Sequence, residues 1–252
     1  MKEIFVQGAT LPEAYHKALA ELYYCGEITE CPDYNQKQKE CSMTVFVENP
    51  LSEPMVSKLF IGGYEELEQY RQEVLDGILD FMIGHGWAYT YHSRIAEQIS
   101  FIYDELKRNP FSRRAVIDIR DWKADTKEGN DSPACLQHMQ FFVRENKLHL
   151  KVLMRSNDAP KAAFMNMFAF IMLQKRIADH LKYEMGTYTH RANSFHCYER
   201  DFKLLEGYMK GINSNADITY EYEGFFKPLM EESVPNIQKK VEQVRSNLKN
   251  NT

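Results

Sequence analysis

The sequence predicts an α+β fold, a mixed β-sheet covered by helices, because strands and helices intermingle without strict βαβ alternation. Segments alternating with period two, at 42–47 and 138–143, are separated by segments with helical spacing such as 96–108. The stretch 162–181 is apolar nearly all round, which suits a helix buried against that sheet. With no repeat, low-complexity run or linker, residues 1–252 read as one domain.

The elements follow in order. Ile4-Phe5-Val6-Gln7-Gly8 is a short strand. Thr10 caps a helix with Pro12 in its first turn, and Ala14, Ala18, Leu19 and Leu22 keep helical spacing up to Gly26. The polar stretch 31–41 reads as a loop, and 42–47 as a strand. Gly62-Gly63 precedes a long helix over 65–82, followed by Gly84-His85-Gly86. An amphipathic helix at 96–108 is stopped by Asn109-Pro110. Strands are expected at 115–120, 138–143 and 148–154, the last two joined by the turn Glu145-Asn146-Lys147. After the buried helix comes a strand over 188–195. Residues 234–252 read as a polar helix that frays from Lys249.

Composition narrows the function. At 252 residues, 44% hydrophobic and 27% charged, the chain has the makeup of a soluble globular protein. A net charge of −5 argues against a DNA partner, since such surfaces are usually basic. Local arginine clusters fit a small anion better. The five cysteines form no CxxC pair, and no histidine is interleaved with Cys25, Cys31 and Cys41, so no metal is expected. Reduced thiols, a first strand that starts at once and the lack of a membrane-length apolar stretch point to a cytoplasmic protein without signal peptide or membrane contact.

One cysteine stands out. Cys135, in Ser132-Pro133-Ala134-Cys135-Leu136, lies between Ser112-Arg113-Arg114 and Met154-Arg155-Ser156-Asn157-Asp158. A thiolate is the nucleophilic form, and nearby positive charge is expected to lower the thiol pKa. Guanidinium groups also pair with phosphate oxygens in bidentate fashion. Together they suggest covalent chemistry on a phosphorylated substrate. The plain alternatives are a buried structural cysteine and solvated surface arginines.

The ordered set Ser112-Arg113-Arg114, Pro133-Ala134-Cys135, Arg155-Ser156-Asn157-Asp158, Phe164-Met165-Asn166 and His196-Cys197-Tyr198 resembles thymidylate synthase over 96–201. Residues 1–95 are divergent and look more like the short archaeal branch of that family. The resemblance implies a homodimer packed through a sheet face, with dUMP and a reduced folate, 5,10-methylene-tetrahydrofolate or a related pterin, as partners. It implies that Cys135 adds to C6 of the uracil ring. Arg155 and Ser156 would hold the phosphate, and Arg113 and Arg114 would reach the partner's phosphate. Asn157 and Asp158 would meet the pyrimidine, and Asp158 the folate as well. His196 and Tyr198, on one side of a strand, would bond the sugar 3′-hydroxyl. Tyr91, with Tyr89 as a rival, would orient a water for proton removal at C5.

Asn166 bears on the base. A buried side-chain amide needs partners, and it can donate to uracil O4 and accept from N3–H. The family's cytosine hydroxymethylases carry Asp there, so Asn favours uracil. Four departures remain. Leu136 stands where the family has His, and only Glu53 is at hand for its early glutamate. Lys37 or Lys39 is the nearest substitute for an early phosphate arginine, and the chain ends in Asn-Asn-Thr instead of an apolar tail. The expected activity is that of a thymidylate synthase. The alternatives are a dUMP hydroxymethylase of the same fold and a non-catalytic nucleotide- or RNA-binding relative.

Overall fold

In the computed structural model the described residues are 1–214 and 216–250. The chain begins with β1 (Glu3–Gly8) and α1 (Leu11–Cys25), where the Thr10 hydroxyl accepts the Glu13 N–H and Pro12 occupies the first turn. Next come β2 (Glu27–Cys31), β3 (Gln36–Val47), β4 (Val56–Ser57) and α2 (Tyr64–Asp76). Short α3 (Tyr91–Ala96) and α4 (Ile99–Arg108) lead to β5 (Val116–Asp118) and α5 (Trp122–Asp125). The central part is β6 (Leu136–Arg144), β7 (Lys147–Asp158), α6 (Phe164–Leu181) and β8 (Glu184–Tyr198). It is followed by α7 (Phe202–Ile212), β9 (Thr219–Tyr220) and α8 (Lys227–Asn250).

The main sheet runs β1-β3-β8-β7-β6-β5, with β2 added against β3. It is mixed: β1 with β3 and β7 with β8 are parallel, and the other pairs are antiparallel. Helices α1 and α6 cover one face, where Phe164, Met167, Phe168, Phe170 and Ile171 are wholly or almost wholly buried. Burying each such side chain contributes roughly 1.5–3 kcal/mol, which outweighs the weak helix propensity of Phe and Ile. The other face shows Phe46, Phe142 and Leu153 half-buried and Phe5 exposed.

Several boundaries differ from the sequence reading. The expected loop at 31–41 is a hairpin, with Glu27–Cys31 paired to Gln36–Glu40 around Asn35 in the left-handed region. Both strands are polar on both faces, so no period-two signal marks them. The helix expected over 65–82 ends at Asp76, because Gly77 adopts a positive φ of 64°. A Cβ at Gly77 would also lie 2.1 Å from His92 Nδ1. The helix expected at 96–108 starts at Ile99, and Ala96 ends the separate short α3; between them the Gln98 side chain reaches the Arg94 and Asp118 carbonyls. Helix α8 starts seven residues before Val234, carries Pro235 inside it and runs through Asn250 without fraying at Lys249. Asn251 and Thr252, also in the expected frayed end, lie outside the described residues. No helix among the described residues is long and apolar enough to cross a membrane.

Candidate active site

The site gathers at one end of β6, β7 and β8. Cys135 sits just before β6, half-buried, with its carbonyl accepting the Arg155 N–H at 2.8 Å. The Arg155 guanidinium then clasps the same loop, Nε to the Ala134 carbonyl at 3.1 Å and Nη2 to the Pro133 carbonyl at 2.8 Å. Guanidinium carries five N–H donors, so most of its capacity still points outward. The electrostatics correct the expectation of an acidic thiol. Burial pushes the Cys135 thiol above its ordinary pKa, and the opposing Arg155 charge does not cancel that. Next to the thiol, the Tyr91 hydroxyl accepts the Leu136 N–H at 3.4 Å. Tyr89 stacks beside Tyr91 at 6.1 Å between centroids and over the Arg94 guanidinium at 4.1 Å, so both expected tyrosines are near Cys135. Arg94 is itself held by the buried Asp125 carboxylate at 2.9 Å.

Asn166, 5% exposed in the first turn of α6, forms the inner wall. Its Oδ1 accepts the hydroxyl of Tyr70 on α2, and its Nδ2 faces the Met154 thioether at 3.9 Å. Met154 pairs with Leu136, the residue after Cys135, across β6 and β7.

At the far end, Asp158 pairs with His196 across the parallel β7–β8 ladder. Asp158 Oδ1 also caps the turn before α6 by accepting the Lys161 N–H at 3.2 Å. Burial raises the Asp158 carboxyl and holds His196 below its usual pKa, so the imidazole is neutral near pH 7. His196 Nδ1 lies 3.3 Å from the Ser194 carbonyl and 3.5 Å from Ser156 Oγ. With Nδ1–H donated to that carbonyl, Nε2 is an acceptor, and it is buried without a partner among the described residues. Tyr198 packs edge-on against His196 at 4.7 Å, on the same side as the two-residue spacing requires. Asn157 instead faces inward, its Oδ1 accepting from His190 Nε2 at 2.9 Å.

Beside Cys135 opens a cavity of about 450 Å³, walled by Tyr70, Glu73, Leu79, Trp87, Tyr89 and Tyr91 among others. Its wall stops short of the thiol at Tyr91 and Ser132. Burial raises the Glu73 carboxyl, which accepts the Gln69 side-chain N–H at 2.9 Å. The sequence reading missed Tyr70, Glu73 and Trp87. Tyr70 and Glu73 are three apart on α2, a same-face spacing that marks them once Val74 is known to be buried.

Other candidates lie elsewhere. Glu53 caps backbone, accepting from Met55, Tyr222 and Glu223 N–H groups at 2.8–3.0 Å. Lys39 bonds the Tyr23 carbonyl at 2.7 Å, and Lys37 lies 3.9 Å from Glu30. Exposed Arg113 and Arg114 precede Val116, which pairs with Gln140. By strand rise they are roughly 17 Å or more from Cys135 of the same chain. No three His, Cys, Asp or Glu residues gather as metal ligands among the described residues.

The chain is similar to known proteins in sequence and in fold. The sequence model of a family described as thymidylate synthase matches residues 62–248. A Methanocaldococcus jannaschii protein provisionally named a thymidylate synthase is 30% identical over 81% of this chain and 95% of its own length. Thymidylate synthase 1 of Bacillus subtilis is 29% identical over 60% of this chain and 54% of its own length. The solved structure of thermostable thymidylate synthase A from Bacillus subtilis superposes with a TM-score of 0.63. It is 20% identical and covers 80% of this chain and 84% of its own, a likeness of fold.

Proposed function

Because the chain belongs to the thymidylate synthase family, we propose that it converts dUMP to dTMP with a reduced folate or related pterin as the second substrate. The observation that carries this reading is the cradle in which Arg155 holds the Cys135 loop while Asn166 stands across Met154.

Cys135 Sγ is the nucleophile that adds to C6 of the uracil ring, making C5 a carbon nucleophile. Its raised pKa means that ionisation accompanies substrate binding instead of preceding it. Among the described residues Asn166 Nδ2 has only a weak thioether acceptor, so its N–H is available to O4, where negative charge develops. The unpartnered His196 Nε2 suits a donor hydroxyl such as the sugar 3′-OH, with Tyr198 alongside. The remaining donors of Arg155, with Ser156, face the phosphate. The Tyr91 hydroxyl, beside Cys135, holds the water that takes the C5 proton.

The cavity suits a flat heteroaromatic ring: Trp87 and Tyr89 supply stacking surface, and Glu73 is a carboxyl for ring N–H groups. The reduced pterin, when bound, supplies the one-carbon unit and the hydride. Arg113 and Arg114, remote within their own chain, serve the partner's site in a homodimer built on the open sheet face.

Mass spectrometry of the product from dUMP and methylene-tetrahydrofolate tests the reading. A methyl product supports it. A hydroxymethyl product moves the protein to the hydroxymethylases. No adduct of 5-fluoro-dUMP on Cys135 would overturn the covalent step.

A further inference from the structure

We propose that Tyr70 determines which pyrimidine the site accepts, by holding the Asn166 side-chain amide in one of its two orientations. This rests on the reading that Asn166 meets the pyrimidine edge, and it adds a positioning residue on a different helix.

An asparagine amide is nearly symmetric in shape but opposite in hydrogen bonding at its two ends. Something must decide which end faces a ligand. Here Oδ1 accepts the Tyr70 hydroxyl, which leaves Nδ2 with the Met154 thioether at 3.9 Å as its partner. A thioether is a weak acceptor, so the amide offers an N–H to the site. That N–H matches a 4-keto oxygen and mismatches the 4-amino group of cytosine.

A flipped amide would turn Nδ2 toward Tyr70, whose phenol oxygen is able to accept. The phenol proton would then need a new acceptor. Among the described residues the Tyr70 hydroxyl has Asn166 as its hydrogen-bond partner and no other. Its surroundings are the acidic groups of Tyr91, Glu73, Cys135 and Tyr89, which with burial keep the phenol protonated and bias it to donate. The flip therefore strands a buried O–H, a penalty equivalent to a factor of about ten to a hundred. Without Tyr70 that penalty disappears, and the amide is free to present either end.

The test measures dissociation constants of dUMP and dCMP for the full chain, with no second substrate. The unaltered protein should prefer dUMP. Tyr70→Phe, which keeps the ring in place, should reduce the dUMP:dCMP preference about tenfold, mostly through tighter dCMP binding. In a chain already carrying Asn166→Ala, adding Tyr70→Phe should leave the ratio within about twofold, since the amide it positions is gone. A Tyr70→Phe variant that weakens both nucleotides equally, or an equal change of ratio in the two backgrounds, would overturn the proposal. Loss of preference in the unaltered protein would instead overturn the reading of Asn166 itself. If Tyr70→Phe does not fold, 3-fluorotyrosine at position 70 keeps the shape and donates more strongly. It should hold the ratio at or above the unaltered value, and a fall would count against Tyr70.

Discussion

Two histidines on β8 are both buried, yet they differ in what their nitrogens find. His190, in the middle of the strand, accepts the Tyr188 hydroxyl on Nδ1 at 2.9 Å and donates Nε2–H to Asn157 at 2.9 Å. Burial lowers its pKa to about 3, so it stays neutral and both nitrogens are used. His196, at the strand end, reaches Ser194 with one nitrogen, and the other has no partner among the described residues. Identical residue type, strand and burial class thus separate into a closed core network and an open site. The mark of the site is unfilled hydrogen-bonding capacity, since buried polar atoms are normally paired. The same contrast sets Asn157, satisfied by His190, against Asn166, whose N–H has only a thioether.

If that contrast is right, changes at the strand end remove function with little cost in stability, and changes in the middle do the reverse. The largest effect is expected for Cys135→Ala: turnover falls about 10⁴-fold or more, with dUMP still bound and the Tm nearly unchanged. Steady-state rates with equilibrium dialysis check this. His190→Ala strands the Tyr188 hydroxyl and the Asn157 carbonyl, so urea unfolding should show a loss of about 3 kcal/mol. Turnover per folded molecule should stay within about threefold. Equal damage to both quantities would erase the distinction between the two histidines.

His196→Ala should weaken dUMP about tenfold, the worth of one hydrogen bond to a sugar hydroxyl, and cost about 1 kcal/mol of stability. The smallest effect concerns Glu73. Its folded pKa is raised, so the native state holds that proton more tightly than the unfolded chain does. The group therefore contributes nothing at low pH, where both states are protonated, and penalises folding once pH rises through the ordinary glutamate range. Glu73→Gln should raise the Tm at pH 7 and leave it unchanged near pH 4, as thermal scans at the two values will show. A loss of stability at pH 7 would mean that the Gln69 N–H outweighs the cost of burying the carboxylate.

Much of the site was legible because its chemistry sits in local clusters. Cys135, Arg155 and Asn166 were candidates from residue type and order, and the structure puts Arg155 on the loop that carries Cys135 and Asn166 against Met154. Tyr70 and Glu73 were not, because their meaning arises from α2 packing against α6, a contact between segments about a hundred residues apart. Glu53 stayed open in the sequence for the opposite reason: a carboxylate near the expected position is equally able to cap backbone, and here it does. The 27–40 hairpin was invisible because neither of its faces enters the core.

By itself the sequence determined the α+β character and the buried helix α6, and it pointed to Cys135 and Arg155 as candidates, since periodicity and residue chemistry are local properties. Only the tertiary structure decided the protonation balance at Cys135, where burial overrides Arg155. It also decided which histidine keeps a nitrogen without a partner among the described residues and which end of the Asn166 amide takes the Tyr70 hydroxyl. Desolvation and hydrogen-bond pairing depend on what the rest of the chain brings alongside a residue, and no local spacing records that.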